Sequence, residues 1–303
     1  MTALGLAFRQ DFAAPASDRV APPAVDLLRA LLLDQQRDDG HWTDEWASSP
    51  AAVGPVGVTA AAVVALLDSG LSPDAPTVSR AIDWLWGRTV APAAKDPDPP
   101  EAESLAALTA FLRSGRIAPG TSPIVTEAVR AVREIQNDDG GWTMASADRP
   151  ANDDSRADTT GEVLTVLGLN GITVADPIAW AAVAFLERDQ EPDSGWGSLS
   201  ATAAVLAGFR AVGMDARGLP ERRAAEWIKR AQLAGGGWGE PDVTATAGAI
   251  RALAAAGEGS GPEVIAGRSW LAENRPDGSA LLPLITALSA LGETRRGYRD
   301  QNL

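Results

Sequence analysis

Cysteine is absent from the 303 residues of the chain, and histidine occurs once, as His41. Without cysteine there are no disulfide bonds, thiolate zinc sites or cysteine nucleophiles, and one histidine cannot build a histidine metal centre. Positive charge is also scarce, since 26 lysines and arginines stand against 40 aspartates and glutamates and leave a formal net charge of -14. Nucleic acid and anionic membrane surfaces attract basic patches, so we expect neither as a partner. Any catalysis would therefore use carboxylates, hydroxyls, arginines or lysines.

Long hydrophobic runs are absent as well. No apolar run approaches the ~18 residues of a membrane-spanning helix, and the stretch MTALGLAFRQDFAAPASD lacks the basic start and apolar core of a signal peptide. We therefore expect a cytoplasmic protein with no integral membrane segment. Hydrophobic residues make up 45% and charged residues 22% of the chain, which are ordinary values for a folded domain. We expect an N-terminal arm over residues 1–22 and a single domain over residues 23–303.

An internal repeat organises this domain. Four segments, which we call the Gln–Trp segments, begin with glutamine and end with tryptophan six positions later. They read QRDDGHW (36–42), QNDDGGW (136–142), QEPDSGW (190–196) and QLAGGGW (232–238). Each follows an amphipathic stretch with helical spacing and precedes a more apolar, alanine-rich stretch that ends in glycine, a helix C-terminus signal.

Two further pairs of stretches keep this alternation without a Gln–Trp segment, at residues 81–88 with 101–115 and at residues 263–279 with 280–292. Six amphipathic helices thus alternate with six apolar ones. The pattern predicts an all-α fold, an α/α barrel in which an outer ring of helices wraps an inner ring. An open α-solenoid is the alternative arrangement.

The Gln–Trp segments resemble the QW repeats of squalene-hopene cyclases, oxidosqualene cyclases and other class II terpene cyclases, and the resemblance covers nearly the whole chain. It implies the barrel of their catalytic β domain, with each Gln meeting the end of an inner helix and each Trp packing upon it. It also implies protonation of a linear isoprenoid by a carboxylic acid. The length leaves no room for their γ domain. Protein prenyltransferase β subunits share the barrel but need a Cys/His/Asp zinc site that this chain cannot supply.

Residues 158–162, Asp-Thr-Thr-Gly-Glu, carry the acid motif that the resemblance implies. In the family the acid is the middle Asp of Asp-x-Asp-Asp-Thr, or the Asp of Asp-Cys-Thr-Ala-Glu. Asp158 would be that acid, with Thr160 and Glu162 as the shared Thr and Glu. Arg156 and Thr159 depart from the pattern, because they stand where the hopene and diterpene cyclases have flanking acids.

The internal repeats give an independent test of these acids. Asp158 lies thirteen residues before its closing glycine, where the other pairs have small residues: Gly57, Ala102, Ser200, Thr244 and Ser279. Glu162 aligns with Ala61, Ala106, Ala204, Gly248 and Pro283. Two carboxylates on one face of a small-residue helix are costly unless something uses or satisfies them. The alternative for Asp158 is a helix cap, since Ser155-x-x-Asp158 has capping-box spacing.

Thr160 aligns with Thr59, Ser104, Thr202 and Thr246. It is therefore a feature of the repeat, a hydroxyl at the helix start, as well as a candidate substrate contact through the resemblance.

Arg251 is the only charge among the residues aligned with it, which are Val64, Thr109, Thr165, Ala207 and Thr286. It could hold a diphosphate, pair with Glu162, or snorkel to the surface. Asp153, Asp154 and Asp158 form a DDxxxD string, for which a solvated acidic loop is favoured over a Mg²⁺–diphosphate site. We expect no protein-bound metal, although Mg²⁺ could accompany a diphosphate substrate.

Aromatic residues are few on the apolar helices, where Phe111 and Phe209 are the clear examples. With Trp238, and Trp46 near a cavity mouth, they are the candidate aromatic contacts for a carbocation. Such a cavity suits a short substrate. We predict a class II terpene cyclase-like enzyme that acts on a linear isoprenoid shorter than squalene, with a non-catalytic barrel that binds an isoprenoid or a partner protein as the alternative.

Overall fold

A computed structural model describes residues 21–43, 54–90, 101–143, 154–214, 218–240 and 242–292. Within these ranges the chain forms twelve α-helices and no β-strand. The outer helices are α1 Ala21–Asp34, α3 Pro76–Thr89, α5 Pro123–Glu134, α7 Pro177–Asp189, α9 Leu219–Arg230 and α11 Pro262–Glu273. The inner helices are α2 Pro55–Asp68, α4 Glu101–Ser114, α6 Ala157–Leu169, α8 Leu199–Ala211, α10 Val243–Ala255 and α12 Leu281–Gly292. The predicted α/α barrel of six helix pairs is confirmed.

The inner helices close into a ring. Each inner helix contacts the next, and α12 returns to contact α2. The Ser289 hydroxyl on α12 donates to Asp68 Oδ2 on α2 at 2.7 Å, and the Gln35 amide after α1 donates to the Gly278 carbonyl before α12 at 2.9 Å. These contacts between the two ends of the described chain exclude the open solenoid.

Close approach between inner helices depends on small residues. A Cβ atom on Gly161 of α6 would lie 2.5 Å from the carbonyl carbon of Ala204 on α8. One on Gly208 would lie 2.6 Å from the Gly161 carbonyl oxygen. The two helices therefore pack backbone against backbone, at a separation that side chains at these positions would prevent.

The Gln–Trp segments join three helices at a time. The Gln136 amide donates to the carbonyl of Gly140 in its own turn at 2.8 Å and to that of Ile178 on α7 at 3.1 Å. The Trp142 indole N–H donates to the Val132 carbonyl of α5 at 2.9 Å, while its backbone N–H donates to Thr160 Oγ1 on α6 at 3.0 Å.

The same bonds recur in the other three segments, from Gln36 and Trp42, Gln190 and Trp196, and Gln232 and Trp238. The expectation that each Gln meets an inner helix is wrong. The Gln amide lies against the first turn of the next outer helix, and the inner helix is held instead by the Trp backbone N–H through a threonine.

Two expectations remain, the N-terminal arm over residues 1–22 and the lack of a membrane-spanning helix. Helix α1 begins at Ala21, and the arm before it is not described. None of the helices in the described ranges combines the length and apolarity that crossing a bilayer requires.

Candidate active site

The side of the inner ring that faces away from the outer helices is reached by water, and we call this space the opening. On every inner helix a residue that water reaches lies between two buried neighbours, at Val64, Thr109, Thr165, Ala207, Arg251 and Thr286. Three positions earlier a second set is also reached by water, at Ala61, Ala106, Glu162, Ala204, Gly248 and Pro283. The outer helices cover the opposite face of each inner helix, so these two aligned sets face the barrel interior.

Small and apolar residues dominate this lining. Its charged members are Glu162 on α6 and Arg251 on α10, and no aromatic residue occurs among the twelve aligned positions. The hydroxyl of Thr165 donates to the Gly161 carbonyl at 3.0 Å, and Thr109 makes the same bond to Leu105 at 3.1 Å. These hydroxyl hydrogens are therefore turned toward their own helices, which leaves a wall with few polar groups for a ligand.

Glu162 is an exposed residue on the ring-facing side of α6, yet many protein atoms lie around its carboxyl. Desolvation by these atoms is the main cause that raises the pKa of the Glu162 carboxyl from 4.5 to about 7, and the negative charge of Asp158 adds to the rise. Arg251 and Arg156 oppose it. Glu162 is thus a carboxylic acid that is substantially protonated near neutral pH.

Asp158 lies one helical turn earlier and is engaged by its neighbours. Arg156 Nε donates to Asp158 Oδ1 at 3.0 Å, and Arg156 Nη2 donates to Oδ2 at 2.5 Å. The backbone N–H of Thr159 adds a third bond, to Oδ1 at 2.8 Å. A two-pronged guanidinium contact matches the ionised carboxylate, whose two oxygens both accept.

The capping-box alternative for this stretch is wrong. Arg156, and not Ser155, is the N-cap residue of α6, and Asp158 lies in the first turn. The Ser155 hydroxyl turns away from the helix, because it donates to Asp139 Oδ1 at 2.6 Å and accepts from Asn137 Nδ2 at 2.9 Å. Ser155 is therefore hydrogen-bonded to the Gln–Trp segment at 136–142 and not to helix α6.

Arg251 comes to the same side of the opening as the two acids. Its charge acts on Glu162 from α10 and lowers the pKa of that carboxyl, while the predicted Arg251–Glu162 pair stays a prediction. Together with Arg156 and Asp158 these residues form what we call the charged cluster, in which two carboxyls and two guanidiniums lie at one part of an otherwise weakly polar lining.

Four predicted substrate contacts lie in the packed core instead. Thr160 is 0% exposed and its oxygen accepts from Trp142. Trp238 is also 0% exposed, with its indole N–H bonded to the Ile228 carbonyl at 2.7 Å. Phe111 and Phe209 are buried edge-on against the tryptophans Trp86 and Trp196. None presents surface to the opening, so the structure does not support these contacts. Trp46 and Asp153 lie outside the described residues.

Two charged contacts were missed by the sequence reasoning. Arg156 pairs with Asp158 because it is the N-cap residue; residues two apart within a helix do not face each other, so the sequence carried no signal for this pair. Asp68, 1% exposed, forms an ion pair with Arg113 and accepts from Ser289. Asp68 and Arg113 each lie two residues before the closing glycine of their inner helix. This shared position on neighbouring helices is the sequence signal that could have predicted their ion pair.

A protein-bound metal does not fit the residues that the structure describes. No group of three or more histidine, aspartate or glutamate side chains comes together among them. Asp158 is engaged by Arg156 and Thr159, and Asp154 is exposed.

Known proteins share both the barrel and parts of this sequence. The model of the squalene-hopene cyclase C-terminal domain matches residues 145–287. The squalene–hopene cyclases of Zymomonas mobilis and Alicyclobacillus acidocaldarius are each 27% identical, over 47% and 86% of this chain. The chain covers 27% and 49% of their respective lengths.

The fold has a solved counterpart in the type II terpene cyclase MstE from Scytonema. The two share a TM-score of 0.68 at 14% identity, over 90% of this chain and 98% of that one. The chain is therefore similar in sequence to squalene-hopene cyclases and shares its fold with a type II terpene cyclase. The resemblance drawn from the sequence is confirmed.

Proposed function

We propose that the chain cyclises a linear isoprenoid by protonating one of its alkenes. The observation that carries this proposal is the placement of Asp158 and Glu162 on one inner helix, with Glu162 facing a closed-ring opening lined mainly by small residues. The family assignment supports the same reaction class.

The chemistry follows from the lining. A carboxyl O–H bond breaks, the alkene electron pair forms a new C–H bond, and the resulting carbocation is attacked by the next alkene of the chain. Loss of a proton restores an alkene, so the product is an isomer of the substrate. Alanine and valine side chains carry no group that could attack the cation, and a bound hydrocarbon chain would displace the water that reaches these walls.

A short prenyl diphosphate is the substrate we propose. Arg251 is the one cation in the two aligned sets that line the opening, and it would compensate the negative charge of a diphosphate. The lack of aromatic faces in those sets favours a substrate with few cationic centres, since aromatic faces stabilise cations. A variant of MstE was solved with geranylgeranyl dihydroxybenzoate as its substrate, which shows that this fold holds a chain of that length in that protein.

The test is incubation of the purified chain with geranyl, farnesyl and geranylgeranyl diphosphates and squalene, with and without Mg²⁺, followed by mass spectrometry. We expect a cyclic product with the substrate's mass. It should disappear in the Asp158→Asn, Glu162→Gln double variant and persist in Glu127→Gln, a matched change of one exposed outer-helix carboxylate.

The result that contradicts the proposal is a folded protein that converts none of these substrates. The lack of aromatic residues at the twelve aligned positions favours a second function, a barrel that binds an isoprenoid without reaction. Saturable binding of a prenyl diphosphate with no product would support that reading.

A further inference from the structure

The two carboxyls of the charged cluster are held very differently. Both oxygens of Asp158 accept from Arg156, and one also accepts from the Thr159 backbone N–H. To give up a proton Asp158 would first have to carry one, and an O–H on either oxygen would compete with a donor that already points at it. Both oxygens of Asp158 are therefore already used as acceptors.

Glu162 has no comparable clamp. Burial and the charges of neighbouring groups are the influences on its carboxyl, and the residues aligned with it in the lining are alanine, glycine and proline. The titratable and charged groups that act on it are Asp158 and Arg156 from the start of its own helix and Arg251 from α10. Glu162 is therefore the carboxyl that a hydrocarbon chain in the opening would meet directly.

The charges around Glu162 suit an acid. The carboxylate of Asp158 favours the protonated form of Glu162, as burial does, and the two arginines limit the effect, so that the pKa is about 7. A general acid works best when its pKa lies near the working pH, because it is then both available and able to transfer its proton.

We infer that Glu162 donates the initiating proton and that Asp158, held as a carboxylate by Arg156, is a positioning residue that keeps Glu162 protonated. The inference rests on the proposed function and reverses the roles that the sequence motif implies. The Glu162 O–H bond breaks with its electrons left on the carboxylate, and the alkene π pair forms the C–H bond. After cyclisation a proton returns to that carboxylate or to water, which closes the cycle without any redox step.

The test is the pH dependence of turnover for wild type, Glu162→Gln, Glu162→Asp and Asp158→Asn, using the substrate that wild type converts best. Circular dichroism and melting temperature establish that each variant is folded. We expect Glu162→Gln to lose about 10²–10⁴-fold in rate at every pH, the range for removal of a general acid, and Glu162→Asp to recover part of it. Wild-type turnover should fall as the pH rises through about 7, where Glu162 loses its proton.

Asp158→Asn separates the two roles. It should stay active, and its falling limb should move to lower pH, because the charge that favours protonated Glu162 is gone. A merely structural role for Asp158 would leave that limb in place and contradict the inference. If Asp158→Asn is inactive at all pH values while Glu162→Gln still turns over, Asp158 is the donor and the inference is overturned with the proposed function intact. If wild type converts nothing, the proposed function fails and the inference falls with it.

Discussion

Replacing Thr160 by valine removes a hydrogen-bond acceptor from a fully buried position and keeps the shape of the side chain. The lost partner is the backbone N–H of Trp142, at 3.0 Å in the native protein, and Trp142 itself is 0% exposed. A buried donor left unsatisfied costs about 1–3 kcal/mol. At about 2–4 °C per kcal/mol for a large domain, thermal unfolding followed by circular dichroism should show a clear decrease in melting temperature.

Thr165→Val is the matched control on the same helix. Its hydroxyl only donates to the Gly161 carbonyl, which already belongs to the helix, and the side chain faces the opening. We expect a change within about 0.5 kcal/mol. Equal melting temperatures for Thr160→Val and wild type would refute the structural role given to Thr160, and a rise in KM with unchanged stability would restore it as a substrate contact.

Three further perturbations test the packing and the electrostatics. Ser194 has φ 83°, so Ser194→Gly should relieve about 1–2 kcal/mol of left-handed strain and raise the melting temperature; a decrease would contradict this. Gly161→Ala should lower stability by about 1–3 kcal/mol, because its Cβ would lie 2.5 Å from Ala204, whereas Gly87→Ala, with open space around it, should not. Folding raises the pKa of Glu162 from 4.5 to about 7. Between these two pH values the folded state therefore holds a proton on Glu162 that the unfolded state has lost, and the stability that this proton contributes is lost as the pH rises through about 7. Glu162→Gln should therefore gain stability over wild type at about pH 8 and not at about pH 4 in urea unfolding, and equal differences at both would exclude the shift.

The barrel could be predicted because each repeat carries its own local signals. A glycine after an apolar helix and a Gln-to-Trp spacing of six recur often enough to align the pairs, and the alignment fixes which positions share a ring. Glu162 and Arg251 stood out as charges in rings of small residues, and the structure brings them to one side of the opening.

The contacts that the sequence could not supply depend on side-chain direction. Alignment placed Thr160, Phe111 and Phe209 on inner helices, but helical phase turns them into the interface with neighbouring helices, where they are buried. The pairing of Arg156 with Asp158 depends on the chain's turn at the start of α6, since Arg156 is the N-cap and its side chain folds back over the first turn.

The central claim, initiation by protonation, is tested most directly by cyclisation in D₂O. A carboxyl that exchanges with solvent would deliver deuterium to a carbon of the substrate, and the cyclic product should carry one deuterium that does not wash out. The same experiment with Glu162→Gln should give no labelled product. A cyclic product without deuterium would show that the reaction begins by ionisation of the diphosphate, and it would contradict the account.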